Sequence, residues 1–274
     1  MLPYAGPPSI QPTGVVILET LIVERRDNGV VQVTMNRPEK KNAINATMWD
    51  ELLEVFAEIG ESTTDRVLIF AGAGGAFCSG ADLEGERDRD KHQLQRMHHF
   101  NRVGLTLHGI SKPCIAKIDG VAVGAGLNMA LACDLVVASD RSRFSEIFAR
   151  RGLSLDLGGS WILPRLVGMH RAKELALLAD IIDAATAERM GLVNRVVPQA
   201  ELDTFVDDWA DRLAAGPPLA LAQTKRMLNN SFSMTLSEAL DGEAMAQSVN
   251  VASEDTREAI KAFLEKREAV FHGR

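Results

Sequence analysis

Two stretches of this chain bring together residue types suited to holding an oxygen that carries negative charge. They are GAFCSGADL (75–83) and DGVAVGAGLNMALACD (119–134). In each, an apolar run passes into small residues and glycine before the next element begins. Small residues let a ligand approach the backbone, and an N–H at the first turn of a helix has no partner within the helix. Both turns can therefore donate to an oxyanion. Glycines in such places also serve close helix and strand packing, and spacing alone leaves both readings open.

Other chemistries find less support. Counting from Gly124, a dinucleotide fingerprint needs glycine where Met129 stands, and neither glycine cluster is followed by the GK[ST] of a phosphate loop. The six histidines show no HExxH and no Cys/His pairing at ligand spacing, so no metal is expected. Neither Ser79, Ser154 nor Ser160 lies in a GxSxG elbow. Cys78, without a histidine pattern nearby, reads as a small packed side chain rather than a catalytic thiol.

The elements that must position these turns are strands alternating with helices. Val31, Val33 and Met35 alternate as one strand face, while 66–72 and 114–118 read as buried strands. Trp49, Leu52, Leu53, Phe56 and Ile59 recur at helical spacing over 45–59, with Asn45 as the N-cap. A second helix is expected over about 91–110, approached by the mixed-charge run 84–92, a solvated loop or a lid. Past Pro198 the chain reads as helical, with helices over Leu202–Leu213, Leu236–Val251 and Asp255–Val270. The expected organisation is a mobile tail at 1–17, an α/β core over 18–200 and a helical region over 201–274.

With 274 residues, 46% of them hydrophobic, the chain can bury one sizeable core. A net charge of −7 argues against nucleic acid and anionic membrane as partners. No run of roughly 20 apolar residues suggests a membrane span. Three cysteines and no leader pattern read as a reduced, cytoplasmic protein.

The chain resembles the enoyl-CoA hydratase/isomerase (crotonase) superfamily. The likeness runs from about residue 20 to 272 through NRPEKKNAIN (36–45), FCSGADL (77–83), GVAVGAGLNMALACD (120–134), ERMGLVNRVVP (188–198) and AFLEKREAVF (262–271). It implies a spiral of ββα units with a helical C-terminal region that forms homotrimers or homohexamers. By the same resemblance, the N–H groups of Ala81 and Ala125 hold the thioester carbonyl of a small-molecule acyl-CoA. Coenzyme A enters as part of the substrate, with no bound cofactor. Ser79, Gly80, Asp82, Leu83, Gly124 and Phe148 are assigned to substrate binding, with Phe263 and Lys266 approaching the coenzyme A of their own or a neighbouring subunit.

At two positions the sequence departs from the hydratases, which use a pair of glutamates. Aligned without gaps from Gly120 to Gly152, those glutamates fall on Asn128 and Phe148. An amide and a phenyl ring cannot take a proton at neutral pH. Glu146 stands two positions from Phe148, and using it would need a shift of register. Asp156, in RGLSLDLGGSWILPRL (151–166), stands where other branches place an aspartate, and the segment looks most like the 1,2-epoxyphenylacetyl-CoA isomerase type.

One carboxylate that reaches both carbons can move a double bond from the 3,4 to the 2,3 position. If Leu153, Leu155 and Leu157 pack around Asp156, burial would raise its pKa toward useful base strength. Alternatively Asp156 caps the helix that starts near Gly159. The expected activity is enoyl-CoA isomerisation, with Asn128 orienting substrate or water. The alternative is 2-enoyl-CoA hydration with Glu84 or Glu146 assisting. Dehalogenation by a nucleophilic Asp156 and silent acyl-CoA binding are more remote.

Overall fold

The computed structural model describes residues 13–83 and 92–274. In chain order the elements are β1 (Gly14–Ile17), β2 (Leu21–Arg25), β3 (Val30–Met35), α1 (Ala46–Glu61), β4 (Val67–Gly72), α2 (Gln93–Gly109), β5 (Cys114–Ile118), β6 (Val121–Val123) and α3 (Ala125–Leu131). There follow β7 (Leu135–Ser139), β8 (Arg143–Ser145), α4 (Gly159–Val167), α5 (Met169–Leu178), β9 (Ile182–Asp183), α6 (Ala184–Met190) and β10 (Arg195–Val197). The chain closes with α7 (Leu202–Ala214), α8 (Pro218–Asn230), α9 (Leu236–Ala252) and α10 (Glu254–Glu265).

The seven-stranded sheet runs β1-β2-β3-β4-β5-β7-β10, antiparallel through β3 and parallel from β3 onward. A smaller sheet runs β6-β8-β9. From β5 the chain places one strand in the large sheet (β5) and the next in the small one (β6), then a helix (α3), and repeats with β7, β8 and α4. This is the expected spiral of ββα units. The alternation of β4 explains the layering: Leu68 and Phe70 face one core with Phe56 of α1, and Val67 and Ile69 face another with Val206 and Ala210 of α7. A strand covered on both faces reads as a continuous apolar run.

Asn45 caps α1 by accepting from the Met48 N–H at 2.9 Å, as the sequence predicts. Residues 14–17, expected to belong to a mobile tail, pair with Ile22–Arg25 as an edge strand. Helix α7, expected to belong with the C-terminal helices, packs on the large sheet, since its Leu202, Val206, Ala210 and Ala214 supply a strip that covers β4, β5 and β7. Helix α10 stops at Glu265, earlier than Val270, where Lys266 turns left-handed (φ 55°) and ends the ladder.

Candidate active site

The first turn is held by the loop before it. Buried Asn42 donates from Nδ2 to the carbonyls of Ala73 (2.9 Å) and Ala76 (2.8 Å) and accepts at Oδ1 from the Arg37 N–H (2.9 Å). Ile44 then bridges the turn, its N–H donating to Gly80 O and its carbonyl accepting from the Asp82 N–H, each at 2.9 Å. Parallel pairing of this kind leaves the intervening residue facing away. The Ala81 N–H consequently has no acceptor among the described residues.

The second turn lies against the first. Val121 O accepts from the N–H groups of Phe77 (3.0 Å) and Cys78 (2.9 Å), and the Val123 N–H donates to Cys78 O (2.9 Å). Gly124, at φ 54°, passes its N–H to Ser145 O (2.9 Å), and α3 begins at the next residue, so the buried Ala125 N–H also lacks an acceptor among the described residues. A Cβ added to Gly80 would stand 3.1 Å from Val123 O and 3.9 Å from Ala125 N, and one added to Gly126 would stand 2.6 Å from Cys78 Sγ. Gly126 thus serves packing, while Gly80 (φ 98°) and Gly124 shape the turns around the two free N–H groups.

Asn128, one turn further along α3, is buried and donates from Nδ2 to the backbone carbonyl of Asp156 at 3.0 Å. A Cβ on Gly159 would collide with the Asn128 amide at 2.5 Å. Helix α4 is capped by Gly158 (φ 83°) with no side-chain cap bond, so the capping role open to Asp156 is not taken up. Instead Asp156 Oδ1 is buried without a hydrogen-bond partner among the described residues. Burial pushes the carboxyl up to about 6, against the opposing pull of the Asn128 amide and its own backbone N–H. Of the three leucines, Leu157 is buried and Leu155 half-buried, whereas Leu153 is 55% exposed, so the desolvation comes only partly from them. The ring of buried Phe148 packs on the second turn, its Cζ 3.6 Å from a Cβ built on Gly124.

The residue that the ungapped register sets aside is the one the fold brings in. Glu146 is 0% exposed, and neither carboxyl oxygen has a hydrogen-bond partner among the described residues. Burial first, and the Asp156 charge second, push it up to about 8. Its signal in the sequence is a lone carboxylate flanked by Phe144, Ile147 and Phe148.

The remaining candidates scatter. Ser79 spends its polar groups on the preceding loop, its hydroxyl on Lys40 O at 3.2 Å and its N–H on Lys41 O at 3.0 Å. Asp82 accepts from Arg37 Nη1 at 3.0 Å. Leu83 is 59% exposed beside residues 84–91, so Glu84 and most of the charged run lie outside the described residues. Phe263, 82% exposed, and Lys266 make no ring contact or side-chain hydrogen bond to the two turns in this chain. Cys78 is buried, donates to Asn42 O at 3.1 Å and is pushed up to about 12 by burial, as befits a packed thiol. No group of three or more metal-ligating side chains occurs among the described residues. A cavity of about 800 Å³ opens between α2, α4 and α8, reaching this region at Leu157 and Gly158.

Two backbone donors can hold a carbonyl oxygen as it gains charge, while two carboxyls with separated pKa values can take and give protons. The chain matches, over residues 25–274, the protein family described as enoyl-CoA hydratase/isomerase. It is 38% identical over 248 residues to a Rhodobacter capsulatus protein named "Probable enoyl-CoA hydratase", covering 90% of this chain and 95% of that one. It is 35% identical to the 1,2-epoxyphenylacetyl-CoA isomerase of Escherichia coli, covering 92% and 98%. Among solved structures, the enoyl-CoA hydratase from Bacillus anthracis superposes with a TM-score of 0.89 at 30% identity, covering 93% of this chain and all of that one.

Proposed function

We propose, for a chain that belongs to the enoyl-CoA hydratase/isomerase family, that it moves the double bond of an enoyl-CoA between the 3,4 and 2,3 positions through a thioester enolate. In this reading the N–H groups of Ala81 and Ala125 hold the thioester oxygen. Two fixed donors stabilise the dienolate more than the neutral thioester, which lowers the barrier to removing an α proton. Asp156, ionised above about pH 6, removes that proton. Asn128 positions the Asp156 backbone through the bond to its carbonyl. The observation that carries this reading is a half-buried aspartate whose Oδ1 is buried and unpartnered among the described residues beside α3, in a chain whose two hydratase positions hold Asn128 and Phe148.

A second reading, hydration of a 2-enoyl-CoA, draws support from Glu146, because a neutral and an ionised carboxyl together can hold and activate a water. Incubating the protein with 3-enoyl-CoA and 2-enoyl-CoA in H₂¹⁸O separates the two. Isomerisation interconverts the substrates without label and is abolished in Asp156→Asn. Rapid ¹⁸O uptake at the β carbon, with full activity retained in that variant, would replace isomerisation by hydration.

Assembly as a homotrimer or homohexamer belongs to the same proposal. Leu236, Leu240 and Met245 of α9 and Phe263 and Leu264 of α10 are all more than half exposed, an apolar surface that a second copy would cover. Such packing would also let Phe263 and Lys266 reach a neighbour's coenzyme A. Sedimentation as a monomer at micromolar concentration would remove this part of the reading. Three buried, unpaired cysteines accord with a reducing, cytoplasmic setting.

A further inference from the structure

Glu146 follows β8 at the seam between the second turn and the Asp156 loop. The carbonyl of the preceding Ser145 accepts the Gly124 N–H at 2.9 Å, and the following Ile147 and Phe148 lie on Gly124 itself. A buried carboxyl without a partner is costly unless it stays neutral or meets a ligand, and structures rarely leave one so without a use. The groups around it leave Asp156 as the charge that acts on it. Residues 121–131 carry no titratable side chain. Arg143, Arg150 and Arg151 are exposed, as are Asp180 and Asp183 before and within β9. On α5, which packs against 147–151, His170, Arg171, Lys173 and Glu174 are all exposed.

We infer that Glu146 is a second proton-carrying carboxyl of the active site: in the isomerisation proposed above, on which this inference rests, Asp156 takes the α proton and Glu146 gives a proton to the γ carbon. The bonds balance. The α C–H bond breaks, its electron pair enters the dienolate and the proton bonds to Asp156. The Glu146 O–H bond then breaks as the dienolate forms the γ C–H bond, which leaves Asp156 neutral and Glu146 ionised. A proton transfer from Asp156 to Glu146, direct or through solvent, restores the starting state. It runs downhill because burial disfavours the charge on wholly buried Glu146 more than on half-buried Asp156.

A single turnover with enzyme in excess tests the step, using a 3-enoyl thioester carrying deuterium on its α carbon. The relay delivers the Glu146 proton, so the wild-type product carries no deuterium at the γ carbon. In Glu146→Gln, Asp156 must serve both carbons: deuterium appears at the γ carbon, kcat falls ~10²-fold, and the loss of activity above about pH 8 disappears. Glu146→Asp restores that alkaline limb. Deuterium at the γ carbon in the wild type, or an alkaline limb unchanged in Glu146→Gln, overturns the inference.

Carbon-13 NMR of the glutamate-labelled protein keeps the question independent of activity. A carboxyl resonance titrating near pH 8 and missing from Glu146→Gln supports a neutral Glu146, while its absence from the wild type overturns the inference even if the glutamine variant fails to fold. A protein that shows the resonance but moves no double bond would instead refute the isomerase reading and leave the carboxyl pair standing.

Discussion

The two halves of the site are built on opposite terms. Around Ala81 and Ala125 the neighbouring backbone groups are engaged: Gly80 O, Asp82 N, Val123 N and Gly124 N each have a partner, while the Ala81 and Ala125 N–H groups remain open among the described residues. Around Asp156 the reverse holds. Asn128 Oδ1, Asp156 Oδ1 and both Glu146 oxygens are buried without partners among the described residues. Dipoles keep their charge wherever the fold puts them, so the oxyanion half can be rigid and well satisfied. Proton carriers need pKa values near the working pH, and that requires an environment which leaves the charged form poorly solvated.

The largest effect should come from the carboxyl half. Asp156→Asn removes the proposed base and is expected to lower kcat by up to ~10⁴-fold with little change in the circular dichroism spectrum. A loss under tenfold in a steady-state assay would move the base elsewhere. On the donor half, Ala125→Pro deletes one N–H at the first residue of α3, where a helix tolerates proline. It should cost ~10²- to 10³-fold in kcat/KM, and an unchanged value would show that this N–H does not meet the transition state.

Gly159→Ala probes the joint between the halves. Its Cβ would meet the Asn128 amide at 2.5 Å and must displace it from Asp156 O. We expect about 1–3 kcal/mol of lost stability by chemical denaturation. Activity should fall through kcat more than KM.

The smallest effect is one of linkage. Both carboxyls have folded pKa values raised above their unfolded ones, so between those values the folded chain holds more protons than the unfolded chain. Stability should therefore fall as pH rises from about 4 through about 6 for Asp156 and toward about 8 for Glu146. Thermal melts at pH 5 and pH 9 should show a smaller decline for Glu146→Gln than for the wild type. Equal declines would mean that the Glu146 carboxyl is better solvated than its burial indicates.

The two small-residue turns were legible because their specification is local, although the choice of Ala81 and Ala125 as donors came from the family resemblance. Glycine and alanine at 80–81 and 124–126 announce close backbone approach, and the apolar runs before them announce strands. The same holds for β5, found at 114–118 as expected, and for Asn45 capping α1. β1 was missed because an exposed edge strand following a proline-rich stretch has little apolar alternation to show. Asp156 was legible by position but not by circumstance, since its cap alternative fell only when Gly158 proved to cap α4.

By itself, the sequence determined three of the strands, the two small-residue turns and, through its ordered motifs, the family, because each is written in residues close together along the chain. Only the tertiary structure decided that Glu146 is wholly buried, unpartnered and within reach of the Asp156 charge. Burial and the coupling of two charges depend on which segments meet across the fold. The nine residues between these two carboxyls say nothing of that until β8, the 147–151 turn and α4 are packed together.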